Sequence, residues 1–303
     1  MGALDGRVAI ITGAGRGIGR EHALLFGSEG ASVVVNDLGG GVAGDGEDPG
    51  PAQRVADEIM AAGGTAVASN DDVASWAGAE RLIRRAIDVF GDLHILVNNA
   101  GILRDRMLVS MTEEEWDSVI HVHLKGHFCP TRHAAGYWRE RHRDGHPVRA
   151  CVVNTSSVSG LFGNVGQSNY GAAKAGIAAF TVITDQELSR YGVRVNAISP
   201  AARTRMTETT PGLADIVAAP ADPGEFDVFD PANVSPLVAA LAVESCTVHG
   251  QVIDIRGGLV TRLQGWGRAE TAERAERWAV DELAKELEIL VPAATPPRPA
   301  AST

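Results

Sequence analysis

Val8-Ala9-Ile10-Ile11-Thr12-Gly13-Ala14-Gly15-Arg16-Gly17-Ile18-Gly19 is the stretch on which the fold of this 303-residue chain turns. Val8 to Thr12 reads as a short apolar strand, and a helical pattern begins near Arg20. Between them lie Gly13, Gly17 and Gly19, spaced Gly-x3-Gly-x-Gly. A pyrophosphate site needs this sequence of strand, glycine turn and helix. Glycines let the backbone turn tightly and approach the phosphates, and the helix start supplies free N–H groups and a positive dipole. Gly13, Arg16, Gly17, Ile18 and Gly19 are therefore candidate cofactor contacts. A glycine triplet alone is also what an ordinary tight turn looks like; the flanking strand and helix favour the phosphate reading.

The next strand, Ser32 to Asn36, ends in Asp37, which lies 18 residues beyond Gly19. A carboxylate there accepts from two ribose hydroxyls. A 2′-phosphate would meet like charge, on the order of 4 kcal/mol at about 4 Å with an effective dielectric of about 20. The expected cofactor is therefore NAD rather than NADP. Leu38 to Pro51, rich in Gly, Asp and Pro, reads as a loop beside the adenine end. A helix over Gln53–Ala62 and a strand over Thr65–Ser69 follow, ended by Asn70-Asp71-Asp72-Val73. Asp71 or Asp72 can accept from an adenine amino group, with Val73 beside them. A helix over Ala79–Phe90 leads to a strand over Leu93–Val97 and then Asn98-Asn99-Ala100-Gly101. Small residues at Ala100 and Gly101 let a cofactor pass close to the backbone, and the Asn98 and Asn99 amides can tie strand ends together. Strands further on are Ala150–Val153, Val193–Ile198 and Val252–Ile255. Alternating strands and helices predict an α/β fold. This is one doubly wound, Rossmann-type parallel sheet of seven strands, with helices on both faces and ligands at the strands' carboxyl ends.

A second motif sits after the strand at Ala150: Asn154-Thr155-Ser156-Ser157, then Tyr170-Gly171-Ala172-Ala173-Lys174 at the head of a helix running to Leu188. Tyr and Lys four apart share a helix face. A free tyrosine titrates near ~10, so a phenolate base near neutrality needs a pKa about 2–3 lower, roughly 3–4 kcal/mol. An ammonium and a cationic nicotinamide favour that form. A serine at the preceding strand end can hold an alcohol or carbonyl oxygen beside the phenol.

A net charge of −11 disfavours nucleic acid and anionic membranes as partners. The cysteines, Cys129, Cys151 and Cys246, have neither disulfide nor metal spacing. Five of the nine histidines fall between His121 and His142, but His121, His123 and His127 share no clean helix face, and no metal site is expected. No apolar run reaches the roughly 18 residues a membrane helix needs, and no signal-peptide layout opens the chain, so a cytoplasmic protein is expected. Thr112, with Glu115 three on, caps a predicted helix to about Arg141. The proline-rich stretch from about 201 to 236 reads as a substrate lid. Residues 1–265 form the expected nucleotide-binding domain. Residues 266–303 form a tail, with an amphipathic helix over Ala269–Ile289 and a disordered Pro/Ala-rich end from Ala293.

Taken together, Thr12 to Gly19, Asn98 to Gly101, the Ser157/Tyr170/Lys174 set, Pro200 and Gly257-Gly258 resemble the short-chain dehydrogenase/reductase family over roughly residues 5–262. Val35-Asn36-Asp37-Leu38-Gly39-Gly40, Ile102-Leu103-Arg104-Asp105-Arg106, His123-Leu124-Lys125-Gly126 and Gly163 to Tyr170 are most similar to the (3R)-hydroxyacyl-CoA dehydrogenase part of peroxisomal multifunctional enzymes of type 2. The resemblance implies that Tyr170 is the acid–base group, that Lys174 lowers its pKa and holds the nicotinamide ribose, and that Ser157 orients the reacting oxygen. Ser157 is chosen over Ser156 and Ser159 because the family's serine stands about 13 residues before the tyrosine. It also implies nicotinamide contacts from Pro200, Ala202 and Thr204, although the family's usual Pro-Gly reads Pro200-Ala201-Ala202 here. His123 stands where the family often has a proton-relay Asn, and relaying and merely packing both remain open for it. The implied reaction is NAD-dependent oxidation of a (3R)-3-hydroxyacyl-CoA thioester. The alternatives are a 17β-hydroxysteroid or other secondary alcohol, and a non-catalytic NAD-binding scaffold. A homodimer or homotetramer is implied. Arg104, Arg106, Arg203 and Arg205 are candidates for a basic rim that meets CoA phosphates.

Overall fold

The computed structural model describes residues 2–46, 50–209, 214–222, 224–265, 267–268 and 270–291. Seven strands run parallel in the order 3-2-1-4-5-6-7: β1 Val8–Thr12, β2 Ser32–Asn36, β3 Thr65–Ser69, β4 Ile95–Asn98, β5 Ala150–Thr155, β6 Val193–Ala201 and β7 Val252–Arg256. The register is close, with Ile10 opposite both Val34 and Leu96, and Val153 opposite both Val97 and Asn196. Side-chain alternation sends Ala9, Ile11, Cys151 and Val153 into one core and Val8, Ile10, Ala150 and Val152 into the other. Both faces are therefore buried, which is why these strands read as near-continuous apolar runs.

The helices are α1 Gly17–Ser28, α2 Gly50–Ala61, α3 Trp76–Phe90, α4 Glu113–Ile120, α5 Gly126–Arg143, α6 Val158–Phe162, α7 Ser168–Leu188, α8 Arg205–Thr209, α9 Ser235–Ala242 and α10 Val280–Leu290. Phe26 of α1, Ile59 of α2 and Val238 and Leu241 of α9 fill the first core. Leu82 of α3 and Trp138 of α5 fill the second, where the indole N–H donates to the Leu93 carbonyl at 2.7 Å.

Several expectations need correction. The sheet has an eighth strand, β8 Leu259–Leu263, antiparallel to β7 across a turn in which Gly257 has φ +53°. Four of its five residues are exposed, so no buried period marked it. The capping box of Thr112 and Glu115 is present, but the predicted helix to Arg141 is split by a π-helical turn, His121–Lys125, between α4 and α5. An inserted residue of this kind leaves the apolar spacing nearly intact and so escapes a periodicity reading. Pro236, read as the lid's end, lies in the first turn of α9, where proline is tolerated. The C-terminal helix starts at Val280, eleven residues after the expected Ala269, and the Glu282 carboxylate accepts from the Ala279 N–H at 3.3 Å. The tail from Ala293 lies outside the described residues.

Candidate active site

The glycine turn closes against the end of β4. A Cβ at Gly13, which has φ +64°, would sit 2.8 Å from the Ala100 Cα, and one at Gly19 would sit 2.2 Å from the Gly13 oxygen. A Cβ at Gly17, which has φ +53°, would lie 3.6 Å from the Thr204 methyl, so the segment after β6 stands over the turn. Thr12 Oγ1 accepts from the N–H groups of Asn99 (2.9 Å) and Ala100 (3.1 Å), while Asn99 Nδ2 donates to the carbonyls of Thr12 (3.0 Å) and Gly13 (3.2 Å). The Asn99 contacts are the tie between strand ends expected of the Asn amides; the part of Thr12 was not predicted, its only signal in the sequence being its place at a strand end. Arg16 precedes α1, and its guanidinium donates to the Gly40 carbonyl at 3.3 Å; Ile18 packs against the first core.

Asp37 stands beside this turn. Its Oδ2 accepts from the Gly15 N–H at 2.8 Å and its Oδ1 from the Gly39 N–H at 2.7 Å. Asp71 and Asp72 now separate. Asp71 has both oxygens engaged, one by Arg81 and one by Ser69, each through a close contact (2.7 and 2.9 Å). Asp72 uses one oxygen on the Ala74 N–H at 2.8 Å, and Val73 is buried beside it. Asn98 is fully buried: its amide N–H groups donate to Thr131 Oγ1 and Asn154 Oδ1, both at 2.9 Å. The amide thus ties β4 to β5 and to α5.

Ser157 caps α6, its hydroxyl accepting from the Ser159 N–H at 3.2 Å. The rival Ser156 is buried and donates to the Lys174 carbonyl at 2.9 Å. Lys174 is 2% exposed, and its ammonium donates to the Thr155 carbonyl at 2.6 Å and lies 5.4 Å from the centre of the Tyr170 ring. Burial pushes the Tyr170 phenol up to about 12, with the Asp105 charge adding to the rise and the Ser157 hydroxyl opposing it. Burial alone brings Lys174 down to about 7.

His123, in the π-helical turn, meets the Tyr170 ring edge-on at 5.1 Å between centroids. A Cβ on Gly101 would lie 2.3 Å from its Cε1, so Gly101 is the space that the imidazole needs. Its Nε2 lies 2.8 Å from the Ile102 oxygen, and its Nδ1 is buried without a partner. Burial, with the Lys174 charge second, holds its pKa well below the usual histidine value. Pro200 ends β6 opposite Ile255, and Ala202 is buried; its carbonyl accepts from Thr207 Oγ1 at 3.2 Å, and Thr207 also receives the Thr204 N–H at 2.8 Å.

The proposed arginine rim changes character. Arg104 is held by Asp45, Glu114 and the Ala43 carbonyl, and Arg203 by a bidentate pair with Asp227 and by the Val217 carbonyl. Arg106, half exposed, pairs with Glu115 at 3.1 Å. Among the described residues there is no cluster of side chains suited to a metal ion and no helix long and apolar enough to cross a membrane.

The glycine turn leaves no room for side chains where a pyrophosphate would run, Asp37 stands beside that turn at the end of β2, and a serine, a tyrosine and a lysine stand at the far strand ends. These features fit a nicotinamide dinucleotide. Comparison with known proteins agrees. The family model for short chain dehydrogenase matches residues 7–212. The hydroxyacyl-CoA dehydrogenase ChsB1 of Mycobacterium tuberculosis is 48% identical over 265 residues, 85% of this chain and 80% of that protein. The peroxisomal multifunctional enzyme type 2 of Drosophila melanogaster is 45% identical over 259 residues, but the chain spans only 40% of that protein's length. A crystal structure of a short chain dehydrogenase from Mycobacterium avium superposes with a TM-score of 0.87 at 50% identity, covering 98% of this chain and 99% of that one. The chain belongs to the short chain dehydrogenase family and is an oxidoreductase of that family.

Proposed function

We propose that the protein oxidises a secondary alcohol with NAD, and that the alcohol is a (3R)-3-hydroxyacyl-CoA, converted to the 3-oxoacyl-CoA. The observation that carries the reading is the placement of Ser157, Tyr170 and Lys174 at the carboxyl end of β5 and in the first turns of α7, beside a glycine turn that a dinucleotide fits. The name of the ChsB1 relative supports the acyl-CoA part. Asp37 at the end of β2 supports NAD over NADP by the charge argument above.

When bound, the nicotinamide supplies the hydride acceptor. Ser157 and Tyr170 hold the alcohol oxygen between their hydroxyls. Tyr170 takes the hydroxyl proton as the carbonyl forms, and general-base help of this kind contributes about 10²–10⁴-fold. The phenol is neutral at rest because burial opposes its charge. The Ser157 hydroxyl and a protonated Lys174 favour the phenolate once the site is filled. Asp72, with one oxygen uncommitted to the backbone, is the better of the two acids for the adenine amino group. Thr204, beside Gly17 of the glycine turn, would be among the residues that hold the cofactor. His123, whose ring meets the Tyr170 ring edge-on, positions Tyr170. Exposed Phe128 on α5 and Val182 and Ile183 on α7 support assembly with further copies.

The test is NADH formation with (3R)- and (3S)-3-hydroxyacyl-CoA thioesters and a 17β-hydroxysteroid. Turnover confined to the (3R) thioesters is expected, and turnover of the steroid alone overturns the substrate assignment. Tyr170→Phe is expected to abolish turnover while NAD still binds.

A further inference from the structure

Two segments face each other next to Tyr170. One is Arg104 to Arg106, on the loop after β4; the other is Gly163 to Asn169, which joins the Ser157 helix to the Tyr170 helix. Asp105 Oδ2 accepts from Gln167 Nε2 at 2.7 Å, and Gln167 Oε1 accepts from Asn164 Nδ2 at 3.0 Å. The Arg106 N–H donates to the Gly166 carbonyl at 2.8 Å. Asn169, fully buried and adjacent to Tyr170, donates to the carbonyls of Arg104 (2.9 Å) and Glu115 (3.0 Å), and its side-chain oxygen accepts the Tyr170 N–H at 2.7 Å. Gln167 is 6% exposed, and the second carboxylate oxygen of Asp105 is buried with no partner. A half-satisfied buried carboxylate is costly to keep, and here its one hydrogen bond goes to the segment that delivers the tyrosine.

We propose that Asp105 is a positioning residue for Tyr170, acting through its clasp with Gln167; this rests on the reading of Tyr170 as the acid–base group. The clasp pins the connection between Ser157 and Tyr170, in which Gly163 (φ +81°) and Gly166 (φ +84°) adopt conformations that confer little stiffness of their own. The groups around the phenol are His123 from the π-helical turn, Lys174 one turn along α7, and Asp105 from the β4 loop. The arginines flanking Asp105 do not offset its charge freely: Arg104 is shared with Asp45 and Glu114, and Arg106 with Glu115. An ionised Asp105 therefore opposes the phenolate.

The experiment compares wild type, Asp105→Asn, Gln167→Glu and the double variant. In Asp105→Asn the side-chain oxygen still accepts from Gln167, but the charge is gone. In Gln167→Glu two carboxylates face each other with like charge, and the clasp opens. In the double variant the introduced amide donates to the introduced carboxylate and closes the clasp with reversed polarity. Expected for Gln167→Glu is a fall in kcat of about tenfold or more with NAD affinity retained, and recovery of most of that loss in the double variant. For Asp105→Asn, the Tyr170 titration, read by tyrosinate absorbance against Tyr170→Phe, is expected to move down by roughly half a pH unit or more, and the acid limb of kcat/KM with it. Wild-type kcat in Gln167→Glu, no recovery in the double variant, or an unmoved titration in Asp105→Asn each overturns the proposal. The absorbance arm needs no substrate. Should wild type turn over no secondary alcohol, the proposed function fails while that arm still decides whether Asp105 acts on Tyr170.

Discussion

Tyr170 and Lys174 stand in an environment that resists charging either of them. The phenol is pushed up to about 12 and the ammonium down to about 7, in both cases chiefly by burial. For Lys174 the sign of the linkage is definite. Its folded value lies below the ordinary 10.5, so between about 7 and 10.5 the unfolded chain holds a proton that the folded chain does not. Its contribution to stability is full above 10.5 and is lost as pH falls toward 7. Urea denaturation of the cofactor-free protein should therefore show stability rising across that window, and Lys174→Met should flatten the rise; an unchanged slope would contradict a buried, readily neutralised lysine. Gly19 gives a second residue-scale prediction. A methyl there meets the Gly13 carbonyl at 2.2 Å and the Asn99 amide at 2.5 Å. Gly19→Ala should cost about 1–3 kcal/mol in stability and weaken NAD binding, as read by calorimetry. The pairing of a serine, a tyrosine and a lysine was legible in the sequence because it is a matter of spacing. The direction of the phenol's shift was not, because burial at Tyr170 depends on helices that pack from elsewhere in the chain.

Among the elements, the amide chain under the site extends the tie between strand ends that the sequence suggested into the helices on one face. Asn98 on β4 donates to Thr131 on α5 and to Asn154 on β5, and Asn154 donates to Thr181 on α7 at 2.9 Å. Two strands and two helices are thus joined through buried polar groups. Asn98→Ala would strand the Asn154 oxygen, and a loss of about 1–3 kcal/mol is expected in denaturant unfolding, with NAD affinity changed less than by Gly19→Ala. Strands β1, β2 and β3 matched their predicted limits because each is a short apolar run stopped by glycine or by Asp and Asn. The break between α4 and α5 did not show, since a π-helical turn keeps hydrophobic residues facing inward while it shifts the register that brings His123 to Tyr170. β8 escaped for the opposite reason: with most of its residues in water, it had no apolar face to announce it.

On the scale of the whole molecule, acid sensitivity is built into histidines that the sheet and helices enclose. His22, hydrogen-bonded to Ser235 at 2.8 Å between α1 and α9, and His127 on α5 are both brought down to about 3, by burial above all. Their contribution is full above the unfolded value of 6.5 and is lost as pH falls toward 3, because the unfolded chain protonates first. The melting temperature should decline over that range, and a double variant with His22→Gln and His127→Gln should decline less steeply; parallel curves would show that carboxylates alone govern acid unfolding. The reversal of the last strand has a consequence for architecture. β7 ends at the carboxyl end of the parallel sheet, level with Ala201 of β6, and β8 carries the chain back until Leu263 stands opposite Val252, the first residue of β7. Whatever is joined after Leu263 thus sets out from the rear of the sheet. Cargo fused at that point, whether a reporter, an immobilisation handle or another enzyme module, is launched away from the carboxyl ends of the strands.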